Sequence, residues 1–337
     1  MNIKWWLVLF CVVAQVSYAS ASGGYAGHAK AREFIEYMVR EHGSDRADLQ
    51  LLFAEASYKQ SIVDAMTRPA EKVKEWKDYR EIFITERRIR QGVEFWQEHR
   101  AVLEKAQAEY GVPIEIIVAI IGVETSYGRI TGNYRVIDAL STLAFDYPAR
   151  SEFFTRELEN FLLLSREQRL NPLDLTGSYA GAMGYGQFMP SSYRNYAVDY
   201  NGDGVADVWH VPADAIGSVA NYFVRHGWQT GGVIVARARI KKGYNQELVN
   251  KMIKPELTLK ELKRQGFSPV NVGLAADTKA APVKLLGVDG VEFWLGFQNF
   301  YTITRYNHSY RYAMAVTQLS ELLAQQAKGA RLVTGAE

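Results

Sequence analysis

Cysteine is almost absent from this chain. Cys11 is the only one in 337 residues, and it lies inside an N-terminal targeting pattern. Lys4 precedes the apolar run Trp5 to Ala14, and Ala19-Ser20-Ala21 follows as a small-x-small cleavage site. Removal of residues 1–21 would leave no thiol, which excludes disulfide staples and cysteine nucleophiles. The apolar run is shorter than the ~20 residues that span a bilayer, so no transmembrane segment is expected. Phe10 stands where a lipid-anchored signal would place a small residue before Cys11. The segment therefore reads as a cleaved signal peptide, not an obvious lipoprotein anchor, and the expected location is periplasmic or secreted. Excess charge is lacking as well. The formal charge is +2, or +1 without Lys4, which suggests neither a nucleic-acid partner nor electrostatic membrane binding. No internal repeat and no appended module stands out. Aromatic residues, by contrast, are plentiful: 20 tyrosines and seven tryptophans, in a chain that is 48% hydrophobic. That composition can bury a sizeable core, in one large domain plus smaller lobes. It also suits a long polysaccharide groove.

Apolar periodicity is helical up to about Gly231. Ser44 is positioned to cap a helix carrying Leu49, Leu52 and Phe53, and Thr85 to cap a long one running to Tyr110 and closed by Gly111. Further helices are expected over Phe153–Leu164 and over Asp214–His226, the latter stopped by Gly227. Val233 to Arg239 alternates, and Val283–Leu286 and Val291–Leu295 are short strand candidates flanked by glycine. The expected organisation is an N-terminal helical lobe over 22–110 and a helical core over 111–231. A small β-containing lobe over 232–297, a segment and helix over 298–328 that return to the core, and a loose tail over 329–337 complete it. The class is α+β, mainly α.

Two segments carry chemistry. The helix starting at Pro113 contains Ile114, Ile116, Ile117, Val118, Ile120, Ile121 and Val123, leaving almost no polar face. It ends on Glu124, before Thr125-Ser126-Tyr127-Gly128. An acid against apolar walls is pushed toward its protonated form, as a general acid requires; the alternative is a structural glutamate paired with Arg129 or Arg150. Downstream, Gly177 to Pro190 is too glycine-rich for a helix interior and too rich in aromatics and amides for a solvated linker. Tyr179, Tyr185 and Phe188 offer flat faces, and Ser178 and Gln187 offer hydrogen bonds, the mixture a sugar needs. A tight turn packing core aromatics is the alternative. A third motif, Asp199-Tyr200-Asn201-Gly202-Asp203-Gly204-Val205-Ala206-Asp207, fits the opening of a calcium loop. Asp199, Asn201 and Asp203 fall at positions 1, 3 and 5, the Val205 carbonyl at 7 and Asp207 at 9. His210 stands at position 12 where a glutamate is usual, so a metal-free turn remains open.

These segments, in order, resemble the B-type lytic murein transglycosylases, bacterial cell-wall enzymes with a goose-lysozyme-like core. Tyr79 with Phe83-Ile84-Thr85, Ala119 to Thr125, Ala144 to Pro148, the glycine-rich loop, Asp214 to Phe223 and Ile303 to Ser309 carry the resemblance, which covers nearly the whole mature chain. It implies that Glu124 alone serves as acid and then base. The bond cleaved lies between N-acetylmuramic acid (MurNAc) and N-acetylglucosamine (GlcNAc), and a 1,6-anhydro ring forms. No cofactor is needed for the chemistry. A hydrolytic muramidase, or a non-catalytic peptidoglycan-binding scaffold, is the rival reading. No second acid stands out, since Asp146 and Asp174 lack comparable context. The resemblance further implies that Ser178, Gln187 and Tyr222 line sugar subsites, with Tyr79 approaching from the N-terminal side. Tyr306, Asn307 and Tyr312 close the opposite wall, and Arg150 meets a lactyl or stem-peptide acid. It also implies that Asp214 completes a structural calcium site. The expected partners are peptidoglycan strands, with other cell-wall enzymes left open.

Overall fold

The computed structural model describes residues 24–68, 74–251 and 254–334; the targeting segment lies outside them, as does the end of the tail at 335–337. Contacts divide the chain into two compact units at Ser57/Tyr58, inside the stretch expected as one N-terminal lobe. The first unit contains α1 (Ala29–His42) and α2 (Arg46–Glu55). Its core includes Phe34, Met38, Leu49 and Phe53. The α2 cap is Asp45 rather than Ser44: its carboxylate accepts from the Asp48 N–H at 2.9 Å. Aspartate is as good a cap as serine, so the neighbour with the right backbone geometry takes the role.

The second unit begins with α3 (Gln60–Thr67), α4 (Trp76–Phe83), α5 (Glu86–Glu98), α6 (Arg100–Tyr110) and α7 (Ile114–Thr125). Thr85 caps α5 as expected, accepting from Arg88 N–H at 3.2 Å. The single long helix expected from Thr85 to Tyr110 is instead two, broken at His99, whose ring packs on Phe95 at 4.4 Å. Gly111, at φ +66°, closes α6, and Pro113 is the cap of α7 rather than its first residue. Ile116 to Ile121 are at most 1% exposed because α5, α6, α11 and α14 surround the helix. Each fully buried isoleucine contributes about 1.5–3 kcal/mol, so α7 is the axis of the unit.

Next come β1 (Tyr134–Arg135), α8 (Val136–Asp146), α9 (Ser151–Glu167), β2 (Thr176–Gly177), α10 (Pro190–Tyr196) and α11 (Pro212–Arg225). β1 pairs antiparallel with β2, which opens the glycine-rich loop. The lobe that follows holds β3 (Val235–Ile240), β4 (Leu257–Thr258), α12 (Leu259–Arg264), β5 (Phe267–Pro269), β6 (Lys279–Gly287) and β7 (Gly290–Gly296). They form one antiparallel sheet in the order β4-β6-β7-β3-β5. α13 (Gln298–Tyr306) and α14 (Tyr310–Thr334) lead back to the core, where Ala313 to Val316, Leu319 and Leu323 are fully buried. α14 runs on into the stretch expected to be a loose tail.

Candidate active site

Glu124 is the last residue but one of α7 and is only partly buried, while Val123 and Thr125 beside it are buried. The Tyr312 hydroxyl, brought in by α14, donates to its Oε1 at 2.5 Å. Burial and the negative charge of Glu124 together push the Tyr312 phenol well above its usual pKa of 10, so it stays a donor. Tyr306 is shifted the same way, by burial first and Glu124 second. The end of α7 is held from three sides. Arg88 on α5 donates to the carbonyl of Gly122 at 2.6 Å, supplying a cation where the helix dipole is negative. Thr125 Oγ1 donates to the Tyr185 carbonyl at 2.9 Å and accepts from the Gly128 N–H at 2.9 Å, tying the helix end to the glycine-rich loop. Gly128 (φ +79°) lies so close to the Tyr185 ring that a Cβ would stand 2.1 Å from it. Arg129 turns toward Glu94, at 3.8 Å.

The loop folds back on itself, with Ser178 N–H donating to the Ala182 carbonyl and the Ala182 N–H to Ser178 Oγ at 3.0 Å. Gln187, at φ +50°, donates through Nε2 to the carbonyls of Thr131 and Gly184, both at 3.0 Å. Its amide nitrogen is thus committed to the protein. The tyrosine hydroxyls are committed too. Tyr306 donates to the Gly186 carbonyl and Tyr222 to that of Arg305, each at 2.6 Å. Their rings meet edge to face at 4.7 Å, and Phe188 lies 5.9 Å from each. Tyr79 is buried against Trp76 and Phe83 and adds to the field at Tyr312. Tyr312, Tyr306, Tyr222 and Tyr79 are thereby linked around Glu124; none of these contacts joins Gln187 or Ser178 to Glu124. Asn307 is exposed at the end of α13. Arg150 is exposed and lies over the rings of Phe153 (4.4 Å) and Phe154 (5.1 Å); none of these contacts joins it to the tyrosine wall.

Arg88 and Thr125 carry no site signal in the sequence. An arginine on an amphipathic helix reads as a solvated charge, and a threonine after a glutamate reads as a helix end. Of the acids set aside earlier, Asp174 bonds to Asn171 at 2.8 Å. Buried Glu157 receives Ser191 N–H and Oγ–H at 2.9 and 2.7 Å.

The loop from Asp199 to Asp207 offers hard oxygen donors, the right chemistry for calcium. In the structure those oxygens accept backbone N–H groups. Asp199 takes those of Gly202, Asp203 and Gly204; Asp203 takes that of Val205 at 3.0 Å. Buried Asp214 takes those of Tyr200, Asn201 and Asp207 at 2.8–3.1 Å. Asp207 receives Trp209 and His210 N–H at 2.9 Å. Among the described residues no group of three or more acidic, histidine or cysteine side chains is gathered so as to hold a metal. The donor chemistry fits; the arrangement is that of a hydrogen-bonded turn.

A family profile described as "Transglycosylase SLT domain" matches residues 26–321. The membrane-bound lytic murein transglycosylase B of Escherichia coli K12 is 44% identical over 94% of this chain and 88% of its own. Soluble lytic transglycosylase SltB1 of Pseudomonas aeruginosa superposes with a TM-score of 0.85 at 53% identity, over 89% of this chain and 99% of its own. E. coli Slt35, solved in complex with calcium, gives 0.82 at 44% identity, over 90% and 96%. P. aeruginosa SltB3, solved with NAG-anhNAM-pentapeptide, gives 0.77 at 30%, over 88% and 79%. Among the described residues no single helix is long and apolar enough to cross a membrane. With this match in sequence and in a mainly helical, lysozyme-like fold carrying a small sheet lobe, the chain belongs to the SLT-domain family of lytic murein transglycosylases, enzymes that act on peptidoglycan.

Proposed function

We propose that Glu124 is the single general acid and base of this enzyme. The observation that carries the reading is the carboxylic acid at the end of an apolar helix with the Tyr312 hydroxyl 2.5 Å from Oε1. That donor fixes one oxygen, so the transferable proton rides on the other, Oε2. Glu124 gives it to the oxygen linking MurNAc C1 to GlcNAc C4, and the C1–O bond breaks. The carboxylate then takes the proton of the MurNAc C6 hydroxyl as O6 bonds to C1, which restores the acid and consumes no water. A second protein carboxylate is unnecessary, and the intramolecular hydroxyl competes with an effective molarity of ~10⁵–10⁸ M against ~55 M bulk water. The anhydro ligand in the SltB3 complex supports this outcome.

Tyr306 and Tyr222, their hydroxyls committed, contribute ring faces to the sugar wall. Gln187 contributes its amide oxygen, Ser178 its hydroxyl proton, and Asn307 an exposed amide at the rim. Tyr79 backs Tyr312, and Arg150 takes an acid group of a stem peptide outside this wall. Calcium, by analogy with Slt35, would bind Asp199, Asn201, Asp203, the Val205 carbonyl, Asp207 and Asp214 in a structural role, trading some of their backbone hydrogen bonds. Residues 1–21 direct export to the periplasm or beyond. The test is Glu124→Gln with product analysis on purified peptidoglycan. The parent should release 1,6-anhydro ends that borohydride leaves unreduced, and the variant should lose at least ~10²-fold in rate while still binding glycan. Reducing ends labelled from ¹⁸O-water would replace the lyase by a muramidase; near-normal turnover of the variant would remove Glu124 from the chemistry.

A further inference from the structure

Two consecutive residues other than glycine stand in the left-handed region directly after Glu124-Thr125: Ser126 at φ +49° and Tyr127 at φ +64°. This is a strained backbone, and such strain persists only where surroundings over-determine it. Tyr127 is 4% exposed, and its hydroxyl is one of the few buried polar groups without a hydrogen-bond partner among the described residues. What holds it is shape. A Cβ on Gly122 of α7 would lie 2.6 Å from the phenol oxygen, and one on Gly92 of α5 would lie 2.4 Å from it. Two helices thus give up their side chains at the place where this oxygen enters. The ring also lies 5.7 Å from Phe95, which in turn lies 6.4 Å from Tyr185 of the glycine-rich loop.

We propose that Tyr127 is a positioning residue for the acid: its phenol, wedged between Gly92 and Gly122, holds the left-handed turn that ends α7 just past Glu124 and so aims the carboxylate. This rests on the reading of Glu124 given above. The wedge works by filling space, because an unpaired buried hydroxyl contributes no bond of its own. With the wedge in place, the backbone N–H of Ser126 reaches the Gly122 carbonyl at 3.1 Å and that of Tyr127 reaches Ile121 at 3.3 Å. These bonds stop the helix where the acid needs it to stop.

The test compares Tyr127→Ala, Tyr127→Phe and Gly92→Ala. Each is assayed for kcat on purified peptidoglycan and, in a Glu124→Gln background, for affinity toward a GlcNAc–MurNAc tetrasaccharide. Tyr127→Ala should lower kcat per folded molecule by about 10–100-fold, the scale of a misplacement of ~1 Å, with glycan affinity within about threefold of its Glu124→Gln parent. Tyr127→Phe keeps the wedge and should stay within about threefold in kcat. Gly92→Ala improves the propensity of α5 itself. Its Cβ would press on Leu323 Cδ2, at 2.5 Å, as well as on the phenol, so only the part of a fall in kcat that disappears in a Tyr127→Ala background is assigned to the displaced phenol. Gly92→Ala should add little once Tyr127 is already alanine. A folded Tyr127→Ala enzyme with parental kcat overturns the inference, as does a loss of affinity in step with kcat. Should Tyr127→Ala fail to fold, Gly122→Ala, whose added Cβ would meet the Tyr127 ring and phenol oxygen first, at 2.6–2.7 Å, decides by the same two readouts. An active Glu124→Gln enzyme would instead sink the general-acid reading, whatever Tyr127 does.

Discussion

Tyr312→Phe removes one oxygen atom and leaves the buried ring in place, which makes it the sharpest probe of the acid's surroundings. The lost hydroxyl touches Glu124 and donates to Oε1 at 2.5 Å. Hydrogen bonds to charged groups contribute about 1.5–3 kcal/mol. If the whole of that is felt when the carboxylate forms, as the proton leaves for the glycosidic oxygen, the rate falls by about 10–150-fold. Substrate contacts are not altered, so the loss should appear in kcat while KM stays within about twofold. Retention of the ring's packing predicts a melting temperature lower by only a few degrees. The assay is release of soluble muropeptides from purified sacculi, resolved by chromatography and mass spectrometry, with circular dichroism to certify the fold. A Tyr312→Phe enzyme within twofold of the parent in kcat would refute the reasoning, since the short bond would then do nothing for the reaction.

Calcium added to chelated protein should raise the melting temperature by mass action, and Asp203→Ala should abolish the gain without loss of activity at low temperature; calorimetry showing no gain in the parent would leave the loop a simple turn. Thr125→Val keeps the volume but strands the Gly128 N–H and removes the bond to Tyr185, so stability should drop by about 1–3 kcal/mol in urea unfolding. Alkaline pH gives a third expectation. Burial raises the phenols of Tyr127, Tyr193, Tyr222, Tyr306 and Tyr312 above 10 in the folded protein. Their stabilisation is therefore fully present below pH 10 and lost as pH climbs above it, because the unfolded chain ionises first. Ultraviolet titration should leave these five tyrosines un-ionised near pH 10 in the native protein and ionise them on unfolding, and a constant melting temperature across that range would contradict the assignment.

Much of this was legible in the chain because periodic burial writes itself into sequence. The run Ile114 to Val123 reads as a buried helix ending on an acid, and it is one. Gly111 and Gly227 mark helix ends and stand at positive φ as turns require. Short elements left no such trace. β4 is two residues long, too few to alternate, and the break at His99 has neither proline nor glycine to announce it. In the site, the residue types were readable but their committed atoms were not. A tyrosine near an acid can point its hydroxyl at a sugar or at a carbonyl. Tyr306 and Tyr222 both chose carbonyls of residues far along the chain, at separations of 120 and 83. The strained turn at Ser126 and Tyr127 was equally hidden, since nothing in either residue type suggests a left-handed backbone.

The return of α14 to the core has a consequence for how this protein comes into being. Tyr312 meets Glu124 across 188 residues, and Gln318 meets Arg80 across 238. Contacts so distant along the chain form late and slowly. During synthesis the carboxylate would emerge long before its phenol partner, and the wall made by α13 and α14 would not exist until those helices had left the ribosome. A chain interrupted before Tyr310 would carry the acid but not its setting, with the apolar flank of α7 uncovered and prone to aggregate. On the reading of Glu124 proposed above, partial copies would lack wall-cutting competence, because the last large helix to be made completes the setting of the acid.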